Sequence, residues 1–212
     1  MKDEGLKMGP GRRAAVHAGS RQRMNVSFAF KVLLSRERIA RRMPELARQV
    51  QAALRNAKRP IAVVVLQGAF IFAADLLRHL PPSLALEVAF LRCQSYGARK
   101  RSSGRVLLLQ DLEPELNLRG RTVLLIDDIY DSGLTMGFLT EHLRRRGAGS
   151  VVPCVLVHRA VRRAKAKPRL LAGFEVGREF VVGYGLDLNG RFRNLPDLVV
   201  QTRGSAGEQK GR

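Results

Sequence analysis

Apolar positions along the chain recur with two periods, and the way those periods alternate sets the fold class. Ser35 is a suitable N-cap for a helix that places Ile39, Met43, Leu46, Val50 and Leu54 on one face, with Pro44 expected to break or kink it. The run 61–66 (Ile-Ala-Val-Val-Val-Leu) is continuous, β-branched and of strand length; Gln67-Gly68 and a helical segment over 69–80 follow, ended by Pro81-Pro82. Residues 86–92 predict a second strand, 95–105 a mobile loop rich in Gly, Ser and bases, and 106–109 a further strand. A buried strand is expected over 122–126, running into a polar turn at Asp127. Leu134, Phe138, Leu139 and Leu143 then trace a helix stopping near Gly147, and 151–157 gives the next strand. Continuous apolar strands separated by helices imply an α/β domain with a parallel sheet covered on both faces and right-handed crossovers. Short strands around Phe174, 180–184 and 198–200 are expected to form a small appended lobe or edge hairpins.

Length and composition narrow the class. With 212 residues, 45% of them apolar and 26% charged, the chain suits one globular domain and excludes disorder, collagen and disulfide scaffolds. Residues 1–30, basic and carrying Gly9-Pro10-Gly11, read as a flexible extension, 31–202 as the folded domain, and 203–212 as a disordered polar tail. The apolar runs fall far short of the roughly 18–20 residues that cross a bilayer, so no membrane span or secretory signal is expected. Cys93 and Cys154 lie in or beside apolar runs and are expected to be buried free thiols, which fits a cytoplasmic setting. The formal charge of +20 belongs mostly to the domain, since the two ends contribute only +4 and +2. Such a charge attracts nucleic acid, a membrane surface or a phosphorylated small substrate, or else reflects an Arg-rich background composition.

Ligands of open parallel sheets sit beyond the carboxyl ends of the strands, which directs attention to Asp127-Asp128-Ile129-Tyr130-Asp131-Ser132-Gly133-Leu134-Thr135. Small and hydroxyl residues opening a helix let backbone N–H groups and the helix dipole converge on a phosphate. The acid pair just upstream would repel that anion, so it is suited to accept hydrogen bonds from a sugar diol or to hold a divalent cation. Together they ask for a sugar phosphate. Neither a Walker loop nor a dinucleotide glycine string occurs. A phosphorelay receiver would have this strand first, leaving too little chain after it for a domain. The bland alternative is an acidic strand end that caps the next helix.

Residues 123–135 resemble the phosphoribosyl-diphosphate (PRPP) signature of type I phosphoribosyltransferases, and the chain from about Lys31 to Gln201 is similar to their hypoxanthine-guanine branch. Three further stretches carry the narrower resemblance: 65–76 (Val-Leu-Gln-Gly-Ala-Phe through Asp75-Leu76), Ser95-Tyr96-Gly97 at the head of the family's lid, and Gly173-Phe174-Glu175 with 180–187 and Arg193-Asn194-Leu195-Pro196. The resemblance implies a parallel-sheet type I phosphoribosyltransferase core with helices on both faces and a small hood lobe. It implies purine salvage: transfer of 5-phosphoribosyl from PRPP to hypoxanthine or guanine, giving IMP or GMP and pyrophosphate, with Mg2+ as cofactor, in a cytoplasmic homodimer or homotetramer.

Carried over residue by residue, Asp131 is the general base near purine N7, and Asp131, Ser132, Gly133, Leu134 and Thr135 hold the 5′-phosphate. Asp127 and Asp128 meet the ribose or the metal, with Asp187 as the third metal residue. Leu66, Gln67, Gly68 and Arg193 contact pyrophosphate, the first three through a loop that in the family often contains a cis peptide. Phe180 stacks on the purine, the Val181 main chain reads its edge, Asp187 also serves the exocyclic position, and Ser95 and Tyr96 begin the lid. Two departures stand out. Gln67 occupies a place where many members have Lys, which weakens PRPP affinity or alters subunit coupling. His158, followed by Arg159, aligns with the Lys that donates to the purine 6-oxo group, which leaves the choice of base open. The alternative is a non-catalytic or regulatory protein of the same fold that binds nucleotide or RNA; a degraded enzyme is a third reading, opposed by the intact Asp127, Asp128 and Asp131.

Overall fold

The computed structural model describes residues 29–96, 105–159 and 170–202. A six-stranded sheet forms the centre, in the order β4-β3-β2-β5-β6-β7, built from Ile61–Leu66 (β2), Glu87–Tyr96 (β3), Arg105–Gln110 (β4), Thr122–Tyr130 (β5), Ser150–Arg159 (β6) and Leu171–Val176 (β7). All neighbours are parallel except β4, which runs antiparallel on the β3 edge. A second, antiparallel sheet orders β1 (Ala29–Leu34), β9 (Leu198–Thr202) and β8 (Val181–Val182).

Alternation along the strands divides the core between two faces. Ala62, Val64, Leu124 and Ile126 point to α1 (Arg36–Leu54) and α2 (Phe70–Arg78), where Ile39, Met43, Leu46 and Phe72 cover them. Ile61, Val63, Val123 and Leu125 point the other way, to Met136, Leu139 and Leu143 of α3 (Leu134–Arg145). With helices on both faces, each strand must be apolar at every position, which is why these segments read as unbroken runs.

Ser35 caps α1 as expected, its hydroxyl accepting from the Arg38 N–H at 3.4 Å. Pro44 does not break that helix. Apolar side chains on both sides of it share one buried face, and their burial outweighs the roughly 3 kcal/mol that an internal proline costs. In α3, Leu134 and Phe138 are exposed, and the buried stripe is Met136, Leu139 and Leu143.

Four further expectations change. The strand over 122–126 runs on to Tyr130, because Asp127, Ile129 and Tyr130 keep pairing with β6; the two acids therefore stand on a strand rather than in a turn. Residues 29 and 30, read as part of the extension, belong to β1, whose partner comes from the far end of the domain. The strand around Phe174 is an edge of the main sheet, so the separate lobe is made by β1, β8 and β9 alone. Ser95 and Tyr96 pair with Val106 and Arg105 at the end of β3 rather than lying in a loop; lid residues 97–104, the basic run 160–169 and the segments 1–28 and 203–212 lie outside the described residues. No helix among the described residues is long and apolar enough to cross a membrane.

Candidate active site

Strand order reverses between β2 and β5: the chain leaves β2 towards β3 on one side and β5 towards β6 on the other. Crossovers diverge at such a point and leave a crevice at the strands' carboxyl ends. A cavity of about 540 Å³ lies there, floored by Leu66, Gln67, Gly68, Asp127 and Asp128 and walled by Asp131, Thr135, Phe180, Val181, Asp187 and Arg193. Eleven of the residues expected from sequence thus line one space.

The Leu66–Gln67 peptide is cis, and Gln67 is exposed on the cavity floor. Gly68 cannot be replaced without disturbance, since a Cβ there would lie 1.6 Å from Asp128 Oδ2. Asp127 is 6% exposed and accepts the Asp128 N–H on Oδ1 at 2.9 Å. Burial, and then the neighbouring Asp128 charge, pushes Asp127 well above the ordinary carboxylate range. Asp128 is raised as well, again by burial, with hydrogen bonding to Asp127 and to the backbone, and then the Arg193 charge, partly offsetting the shift. The sheet thus carries a desolvated acid pair, ready to accept hydrogen bonds from hydroxyls.

Beyond the pair, α3 opens at Gly133, which has φ +80° and offers no side-chain cap; a Cβ there would lie 2.5 Å from the Tyr130 hydroxyl. Among the described residues, the first-turn N–H groups lack side-chain acceptors apart from a long contact, 3.4 Å, from Leu134 N–H to Ser132 Oγ. An uncapped helix N-terminus in this position suits an anion. Thr135 faces the cavity, whereas Ser132, Gly133 and Leu134 are not among the residues that line it.

His158 is not part of the site. Successive residues of a strand face opposite ways, and His158 packs edge-on against Tyr130, centroids 5.4 Å apart, 3.9 Å from Glu175. Arg159 enters the cavity instead. Its Nη1 bonds Asp131 Oδ2 at 2.9 Å, its Nη2 bonds the Glu179 carbonyl at 3.0 Å, and its buried Nε has no partner among the described residues. Cys93, which sequence reasoning did not place here, also borders the cavity; burial and the two acid charges push its thiol up to about 12, so it remains protonated.

The expected metal trio does not converge. No three His, Cys, Asp or Glu side chains among the described residues form a chelating group. Asp187 gives Oδ1 to Arg193 at 2.7 Å and Oδ2 to the Gly190 N–H at 2.6 Å. Such a donor set does not fit a resident ion. It fits magnesium that arrives on a polyphosphate, keeps several waters and needs only one or two carboxylates.

Comparison with known proteins agrees with this geometry. The phosphoribosyl transferase domain family matches residues 31–189. The hypoxanthine-guanine phosphoribosyltransferase of Bacillus subtilis (strain 168) is 40% identical over 170 residues, 80% of this chain and 92% of that protein. The hypoxanthine-guanine-xanthine phosphoribosyltransferase of Tritrichomonas foetus is 36% identical over 171 residues, 80% of this chain and 90% of that one. A crystal structure of a hypoxanthine-guanine phosphoribosyltransferase from Bacillus anthracis superimposes with a TM-score of 0.72 at 33% identity, covering 82% of this chain and 99% of the other. With its crevice, acid pair and anion loop in the family's order, the chain belongs to the phosphoribosyltransferases, in their hypoxanthine-guanine branch.

Proposed function

We propose that this protein transfers the 5-phosphoribosyl group of PRPP to a 6-oxopurine, hypoxanthine or guanine, yielding IMP or GMP and pyrophosphate. The carrying observation is the Asp131–Arg159 pair in the wall of the crevice. An oxopurine protonated at N7 presents an N–H donor beside the C6 oxo acceptor, and the pair presents an acceptor beside donors. An aminopurine would turn an N–H2 group towards the guanidinium, leaving a half-buried cation facing a donor. The reading passes from His158 to Arg159, a planar fork where the family has a point charge.

In this reading the helix N-terminus after Asp131 holds the 5′-phosphate, and Asp127 and Asp128 accept the ribose hydroxyls. The purine stacks on Phe180, half exposed at the cavity edge, with the Val181 main chain along its rim. The bond from C1 to the diphosphate oxygen breaks as purine N9 bonds C1. The N7 proton passes to the Asp131 carboxylate, and pyrophosphate leaves with the bonding pair beside Gly68 and Arg193. Magnesium, carried in by PRPP and met by Asp128 and Asp187, would neutralise the leaving pyrophosphate. A cytoplasmic homodimer or homotetramer goes with this reading, and sedimentation velocity tests the assembly.

The decisive assay is nucleotide formation from PRPP and magnesium with hypoxanthine, guanine, xanthine and adenine in turn. Turnover is expected with oxopurines and not with adenine, and Asp131→Asn is expected to lower kcat by about 10²–10⁴-fold, the usual worth of a general base. Absence of turnover with every base, while PRPP still binds, overturns the proposal.

A further inference from the structure

The turn over 183–187 carries Asp187 and lies against Arg193, yet the residue that anchors it has no part in the chemistry proposed above. Tyr184 is 7% exposed and has left-handed backbone, φ +49°. Its hydroxyl donates to Asp75 Oδ2 on α2, and the other oxygen of that carboxylate is held by Arg78. Burial and the Asp75 charge push the phenol above its ordinary range, so it stays a donor at every physiological pH.

From this anchor the hydrogen bonds lead directly to the pyrophosphate side of the crevice. The Tyr184 N–H donates to the Leu195 carbonyl at 2.8 Å and the Gly185 N–H to the Arg193 carbonyl at 2.9 Å. Arg193 returns Nη1 to the Gly185 carbonyl at 2.7 Å and gives Nη2 to Asp187, also at 2.7 Å. Gly185, at φ +104°, sits so close to the floor that a Cβ would lie 2.1 Å from the Gly68 carbonyl oxygen. The turn is thus clasped between α2 behind it and residue 68 in front, with Arg193 fastened to it on one side.

We infer that Tyr184 is a positioning residue: its bond to Asp75 fixes the turn over 183–187 against Gly68 and so sets the gap between Gly68 and Arg193 that receives the diphosphate of PRPP. The inference rests on the proposed reaction for the identity of that ligand. It assigns Tyr184 to one half of the site, because the purine side is held separately, by the Arg159 bonds to Asp131 and to the Glu179 carbonyl and by the pairing of Val181, next to Phe180, with Val200 on β9.

The test is steady-state kinetics of Tyr184→Phe and Asp75→Ala, with pyrophosphate product inhibition measured alongside. Loss of a bond to a carboxylate is expected to raise KM for PRPP and the pyrophosphate inhibition constant together, by about 3–10-fold, with KM for the purine and kcat within about twofold. The double variant is expected to be no worse than the poorer single one, since both remove the same bond. A purely structural role would instead lower kcat and weaken both substrates alike. That outcome, or unchanged PRPP kinetics in both variants, overturns the inference. Wild-type protein that fails to turn over at all overturns the proposed reaction instead, and the two failures are thereby distinguished.

Discussion

Asp127→Asn is expected to make the protein more stable and less able to use PRPP. Asp127 lies on β5 with 6% exposure, next to a second carboxylate that is also desolvated, and both are raised above the ordinary range. Ionising the pair costs free energy that the fold must supply from elsewhere. The amide keeps the acceptor that Oδ1 presents to the Asp128 N–H, removes one buried charge, and can donate to the Asp128 carboxylate. Relief of a buried, uncompensated charge is worth about 1–3 kcal/mol. At roughly 2–4 °C per kcal/mol for a chain of this size, the melting temperature rises by about 2–12 °C at neutral pH.

The pH dependence separates this cause from others. The folded-state pKa of Asp127 is raised above the unfolded value of about 3.9, so the penalty is present in full above the folded pKa. It is relieved as pH falls through that value and is gone below the unfolded one. The advantage of the amide therefore shrinks as the solution is acidified. Calorimetry of both proteins between pH 7.5 and 4.5 measures it, and kcat/KM for PRPP, which loses a charged acceptor, is expected to fall by about 10–100-fold. A variant that melts below the wild type at pH 7.5, or whose advantage is unchanged at pH 4.5, refutes the reasoning.

Arg159→Ala is expected to lower kcat/KM for hypoxanthine by about 10–100-fold, whereas His158→Ala stays within about threefold; the reverse order would show that β6 is read in the wrong register. Gln67→Lys should lower KM for PRPP by about 2–5-fold at low salt and by less at high salt, because the new charge is exposed. Arg146 donates to the carbonyls of Leu112 and Glu113 and pairs with Asp111, so Arg146→Ala should lower the melting temperature by roughly 2–8 °C and speed amide hydrogen exchange over 111–118.

The central sheet was legible because burial on both faces leaves a simple trace: runs such as 61–66 with no polar position. That same uniformity hides facing. Residues 154–157 are all buried, so nothing in the pattern says which of His158 and Arg159 turns to the crevice. The pairing of His158 with Tyr130 on β5 and of Arg159 with Val176 on β7 decides it, and register is a tertiary fact. Strand β1 was missed for a related reason: half exposed and paired only with β9, Ala29–Leu34 carries little apolar periodicity of its own. The anion loop and the acid pair were visible because their chemistry is local. Sequence shows which acids are near the site but not that Asp187 is engaged by Arg193 and Gly190. Arg146 is the clamp that holds 112–116 to α3, a role that only its three-dimensional partners reveal.

The small sheet joins Ala29 to Thr202, the two ends of the described chain. On the ribosome, β2 to β7 can pair as they emerge, whereas β8 has no neighbour until β9 is released, and β1 waits throughout synthesis for the same partner. The nascent protein therefore completes the central sheet, with its acid pair and the Asp131–Arg159 pair, first and the small sheet last. A chain cut short before β9 leaves β1 and β8 without their partner, and protection of the central sheet from proteolysis precedes the onset of turnover during translation.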